Sequence, residues 1–130
     1  MNKEPQARDP LTFSCGKTMK NRFMLAPMTN TQSQEPLLSY FADLDRRDVR
    51  ITAAGKIRSG EAVEKALSGG LDFVTVGRAA ILHHDFPARV IAAPVFQPVS
   101  TPVTAAYLRQ EGLSPRFVDY MRAWKGFVKG

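Results

Sequence analysis

Two apolar runs, Val49-Arg50-Ile51-Thr52-Ala53-Ala54 and Leu71-Asp72-Phe73-Val74-Thr75-Val76, flank a single helix-length segment, and this arrangement constrains the fold most. Each run stops at a glycine followed by a cation, Gly55-Lys56 and Gly77-Arg78. Between them Ser59 is placed to cap a helix whose first turn holds Glu61, and Gly69-Gly70 ends it. Ala62, Val63, Ala66 and Leu67 fall on one face of that helix. A strand–helix–strand unit of this kind is the repeat of parallel α/β architecture, because parallel strands need a crossover connection.

The flanking segments add a third strand. Arg22-Phe23-Met24-Leu25-Ala26 is an apolar run stopped by Pro27, the pattern of a strand buried on both faces. Before it, Leu11-Thr12-Phe13-Ser14 and Thr18-Met19-Lys20 alternate around the turn Cys15-Gly16-Lys17, predicting a short hairpin. Residues 1–10 read as a loosely held arm and 29–36 as a polar loop, with a short helix expected from Leu37 to Leu44. After the second apolar run, helix is expected over Ala79–Leu82 and again from Phe86 to Ala93, broken at His83-His84-Asp85. Pro94, Pro98 and Pro102 predict an irregular stretch to Thr104. A terminal helix is expected over Leu113–Trp124, with Ser114 as N-cap and Pro115 at its first position.

Size sets a limit on what these strands can form. The chain has 130 residues, whereas a closed eight-stranded β/α barrel needs about 250, with about 200 near the lower bound. The expected fold is therefore α/β, a partial barrel of about three parallel strands with flanking helices and an N-terminal hairpin. It reads as one incomplete domain: a first-strand region at 1–42, a charged junction at 43–48, a phosphate-binding region at 49–93 and a tail at 94–130.

Composition narrows the class. A hydrophobic fraction of 44% with 23% charged residues is that of an ordinary soluble domain. The net charge of +6 invites nucleic acid as a partner, yet the basic residues are scattered and have no interleaved aromatic stacking surface. The lone Cys15 excludes an internal disulfide and reads as a small hairpin residue. No apolar stretch approaches the roughly 20 residues that span a bilayer. Cytoplasmic location, with no nucleic-acid or membrane partner, is the expectation.

The chemistry-bearing residues lie at the strand ends. Glycine turns at the carboxyl ends of parallel strands let a phosphate approach backbone N–H groups, and Arg78 would add charge-assisted hydrogen bonds. On physics alone, two ordinary strand-to-helix turns explain the same glycines. The order of motifs carries more. Asn21-Arg22 with Ala26-Pro27-Met28-Thr29, then Gly55-Lys56-Ile57-Arg58, then Gly69-Gly70-Leu71-Asp72-Phe73-Val74 and Gly77-Arg78, resembles the Old Yellow Enzyme family of flavin mononucleotide (FMN)-dependent NAD(P)H oxidoreductases. The tail, Tyr107-Leu108-Arg109, Gly112-Leu113-Ser114-Pro115 and Phe117-Val118-Asp119-Tyr120, is similar to that of some members.

That resemblance implies barrel strands 1, 7 and 8, with strand 8 pairing strand 1 and the portion between strands 1 and 7 missing. It places Ala26, Pro27, Met28 and Thr29 against the flavin ring, and Gly55, Lys56, Gly77 and Arg78 around its phosphate. Hydride would pass from NAD(P)H through FMN to an activated alkene or similar small-molecule acceptor. The family's substrate-binding His/Asn or His/His pair and tyrosine donor belong to the missing portion, so no catalytic residue is assigned and the chain reads as catalytically incomplete. The alternative is a non-catalytic remnant that retains weak phosphate binding or assembles with copies of itself to cover its open sheet edges. His83-His84 follows the wrong strand for a catalytic pair, and adjacent residues diverge too far to share a metal. Trp124 reads as part of the packing face of the terminal helix.

Overall fold

The computed structural model describes residues 4–25, 45 and 49–130 of the chain. A hairpin of β1 (Leu11–Thr12) and β2 (Thr18–Met19) comes first, followed by β3 (Phe23–Leu25). Then follow β4 (Thr52–Ala54), α1 (Gly60–Ser68), β5 (Phe73–Val76), α2 (Arg78–Leu82) and α3 (Phe86–Ala92). Helices α4 (Ala105–Gln110) and α5 (Pro115–Arg122) complete the chain. The expected helix at 37–44 and nearly all of the junction lie outside the described residues.

Strands β3, β5 and β4 form a parallel sheet in that order, with β5 in the centre. Phe23 lies opposite Val74 and Leu25 opposite Val76 on one side; Thr52 lies opposite Phe73 and Ala54 opposite Thr75 on the other. The strand at 71–76 thus pairs with both of the others, as the motif order implied. Among the described residues the sheet does not close on itself. All four residues of β5 are buried, which is what its apolar run requires.

Asp72 fastens the start of β5 to its neighbours. Its carboxylate accepts the Ile51 amide at 2.8 Å and pairs with Arg50 at 3.3 Å, while its own amide donates to the Ile51 carbonyl at 2.9 Å. The Arg22 guanidinium donates to the Asp72 carbonyl at 2.8 Å. The regular ladder of β4 therefore begins only at Thr52, later than Val49, because the side chain of Asp72 takes the Ile51 amide.

Helix α1 forms as its sequence dictates. The Ser59 hydroxyl accepts the Ala62 amide at 3.2 Å, and Gly70 follows the helix with a φ of 106°. Its Val63 and Leu67 are 0% and 1% exposed. They pack with Phe23, Val74 and Val76 of the sheet and with Phe86 and Val90 of α3, forming the first core. Phe23 meets Phe86 edge to face at 6.2 Å between centroids. Met24, on the alternate face, is 41% exposed. Strand β3 is thus not buried on both faces; it is the edge of a sheet that stays open among the described residues.

A second core forms beneath the tail, from Ile81, Leu82, Val103, Leu108, Val118, Met121 and Phe127. The stretch between α3 and α4 is irregular, as its prolines require, and runs into a parallel bridge between Val103 and Val128. Helix α4 was not expected from sequence; the Thr104 hydroxyl caps it by accepting the Tyr107 amide at 3.1 Å. The Ser114 hydroxyl caps α5 through the Phe117 amide at 3.2 Å, with Pro115 at the first position as anticipated.

Candidate functional site

The three parallel strands run in register, so their carboxyl ends emerge along one edge of the sheet. Gly55-Lys56 leaves that edge from β4 and Gly77-Arg78 from the adjacent β5. The hairpin lies at the opposite end: Phe13 meets Phe73, the first residue of β5, at 6.2 Å, and Arg50 donates to the Thr12 carbonyl at 3.2 Å. Four of the eight expected cofactor residues are therefore brought to one place by the fold. The other four, Ala26, Pro27, Met28 and Thr29, lie outside the described residues.

The turn after β4 is sharply bent. Gly55 has a φ of 118° and Lys56 a φ of 57°, the single non-glycine in the left-handed region among the described residues. That conformation costs a side chain about 1–2 kcal/mol, so packing must hold it. Ile57, 8% exposed, supplies an anchor one residue later. The Lys56 side chain is exposed and has no ion pair among the described residues.

Arg78 is half-buried, between the buried Val76 and Ala79. Its guanidinium lies over the Trp124 ring, 4.8 Å from the centroid, and has no acidic or hydrogen-bonding partner among the described residues. A guanidinium carries five N–H donors in a rigid fork suited to phosphate. Trp124, read from sequence as packing, is thus also the neighbour of the key cation. No local signal marks that contact, because it joins the end of the chain to the end of β5.

His83 and His84 diverge, as expected for neighbours at the end of a helix. His83 is 4% exposed. Its Nε2 accepts the Val99 amide at 3.1 Å, and its Nδ1 lies 3.2 Å from Tyr107 Oη, which donates to the Leu82 carbonyl at 2.8 Å. Burial, reinforced by the Arg89 charge, lowers its pKa below 6.5.

His84 turns outward. Its ring Nδ1 and its amide lie 2.8 and 2.9 Å from one Glu111 oxygen. Burial raises the Glu111 pKa, but these hydrogen bonds and the histidine charges bring it below the usual value. His84, Asp85 and Glu111 offer ligand atoms within 4.8 Å of one another. Asp85, however, is held by Arg89 at 2.7 Å, and Glu111 by His84. The cluster is satisfied as an ion-pair group and has no open ligand set.

No family model, curated protein or solved structure matches the chain.

Proposed function

We propose that this chain is a three-strand portion of a flavoenzyme barrel that holds the phosphate of FMN at the carboxyl ends of β4 and β5. The reading joins the sequence resemblance to the Old Yellow Enzyme family with one structural observation. Gly55-Lys56 and Gly77-Arg78 leave adjacent parallel strands at a single sheet edge, with β5 central as strand 8 of such a barrel would be. The residues fit the phosphate end of the cofactor: a bent, glycine-led backbone, two cations without acidic partners among the described residues, and a fork-shaped donor in Arg78. The ring end falls to Ala26, Pro27, Met28 and Thr29.

Bound FMN would supply hydride transfer from NAD(P)H to an activated alkene or similar acceptor. The protein's part here is binding and orientation, since the family's substrate-binding pair and tyrosine donor have no counterpart in this sequence. Binding without turnover is the expected behaviour. Titration of the chain with FMN, followed by flavin absorbance and fluorescence, tests it. Saturable binding markedly weakened by Arg78→Ala supports the phosphate site, and absence of binding overturns it. NADPH oxidation with an enone above the rate of free flavin would overturn catalytic incompleteness.

A second reading, a non-catalytic remnant that pairs with copies of itself in the cytoplasm, is favoured by the place of β3 at the margin of the sheet among the described residues and by exposed Met24. Light scattering on the eluting protein tests that assembly: a well-behaved, folded monomer counts against it.

A further inference from the structure

We infer that Trp124 is a positioning residue for a phosphate-bearing ligand, acting through Arg78. The inference rests on the phosphate-site reading above and adds to it the element that orients its principal cation. Trp124 is the chain's one tryptophan, and its backbone is fixed on both sides. Its amide donates to the Met121 carbonyl at 3.1 Å, and its carbonyl accepts the Phe127 amide at 3.1 Å. Met121 and Phe127 are 0% and 6% exposed and belong to the second core. The indole therefore sits on a rigid platform that carries the C-terminal segment to the carboxyl end of β5.

Arg78 is anchored equally well at its base. It lies one residue beyond Gly77 at the end of the central strand and precedes Ala79, which is 1% exposed. Only the long side chain is left to be ordered. An arginine free in solvent samples many rotamers, and a ligand that captures it bears the entropy of ordering it. The indole face, 4.8 Å from the guanidinium carbon, supplies that order before a ligand arrives. An acidic partner would also fix the side chain, but it would occupy the N–H donors and cancel the charge. An aromatic face does neither, so the donor fork stays available to an anion.

A tryptophan that merely fills the second core would act on folding and not on Arg78. A double-mutant cycle on FMN affinity distinguishes the two, with the full chain and each variant's fold checked by circular dichroism and thermal midpoint. Trp124→Leu is expected to weaken FMN roughly 2- to 30-fold, the range of a cation–π contact, while Trp124→Phe recovers most of the loss. In an Arg78→Ala background, Trp124→Leu is expected to have no further effect.

Equal losses in both backgrounds, or no loss in a chain that binds FMN, overturn the inference and leave the phosphate site standing. Failure of the parent chain to bind FMN overturns both. A second readout needs no change at position 124. Inorganic phosphate should shift the emission of this lone indole saturably in the parent chain and not in Arg78→Ala; an unresponsive parent that binds FMN counts against the contact.

Discussion

The Val99 amide donates a hydrogen bond to His83 Nε2 at 3.1 Å, fixing the irregular tail to the end of α2. This contact also fixes the tautomer. Nε2 must carry a lone pair, so the ring proton sits on Nδ1 and faces Tyr107 Oη at 3.2 Å. The tyrosine's own proton goes to the Leu82 carbonyl at 2.8 Å. The three groups are mutually satisfied only when the imidazole is neutral.

Acid should therefore loosen the tail. The folded pKa of His83 is lowered below 6.5, first by burial and then by Arg89, with Glu111 and Asp85 opposing. The unfolded chain binds the proton more readily, so the contribution is fully present above about pH 6.5 and declines as pH falls toward the folded pKa. Urea midpoints measured from pH 7.5 to 5 should fall in that window. His83→Gln should flatten the slope and His84→Ala should retain it. The lowered carboxyls of Asp85 and Glu111 act at lower pH.

Removing the phenol tests the same relay from its other end. Tyr107→Phe leaves the Leu82 carbonyl and the His83 Nδ1–H without their partner, and a buried unmet polar group costs about 1–3 kcal/mol. Chemical denaturation should show a lower midpoint at constant m-value. Tyr120→Phe, at a position 48% exposed, should stay within about 0.5 kcal/mol.

Gly60 is the first residue of α1, and its amide donates to the Phe96 carbonyl at 2.9 Å. A Cβ there would overlap the Pro94 carbonyl oxygen and come within 2.8 Å of its carbon. Alanine usually stabilises a helix by up to about 1 kcal/mol over glycine. Here the obstacle is backbone, so a clash cost of about 1–3 kcal/mol should outweigh that gain. Gly60→Ala should lower the thermal midpoint, whereas Ser59→Ala should cost about 1 kcal/mol through the lost cap.

Selectivity for the phosphate offers a separate check. Riboflavin shares the ring of FMN but lacks the group that Arg78 and Lys56 would meet. FMN should bind more tightly than riboflavin, and raising ionic strength should narrow the gap by screening the exposed Lys56. Equal affinities measured by flavin fluorescence would place binding elsewhere.

The parallel sheet was legible because Leu71–Val76 and its neighbours are apolar runs closed by glycine or proline, and the helix between them carries its own caps. The hairpin and the Ser114-Pro115 helix start were legible for the same local reason. Helix α4 was not, because six residues with one fully buried position, Leu108, are too short to display a helical period. Thr104 was its one available signal. The pairing of Arg78 with Trp124 and the burial of His83 against Val99 and Tyr107 depend on where the tail folds back, which no local spacing encodes. Met24 departs from its apolar run because, among the described residues, its face of the sheet carries no covering layer.

The connectivity of the sheet also sets a timetable. Strands β3 and β4 each bond to β5 and not to each other, so neither can pair until residues 73–76 have been made. For β3 that wait spans roughly fifty residues of synthesis, on the order of 2–10 s at ordinary elongation rates. The β4–α1–β5 unit closes a shorter loop and should form first, a difference that pulse-labelling of backbone amides would register. Strand β3, the first strand of the parallel sheet to leave the ribosome, is thus obliged to wait without its sheet partner, which makes the nascent chain most prone to aggregation before its central strand exists.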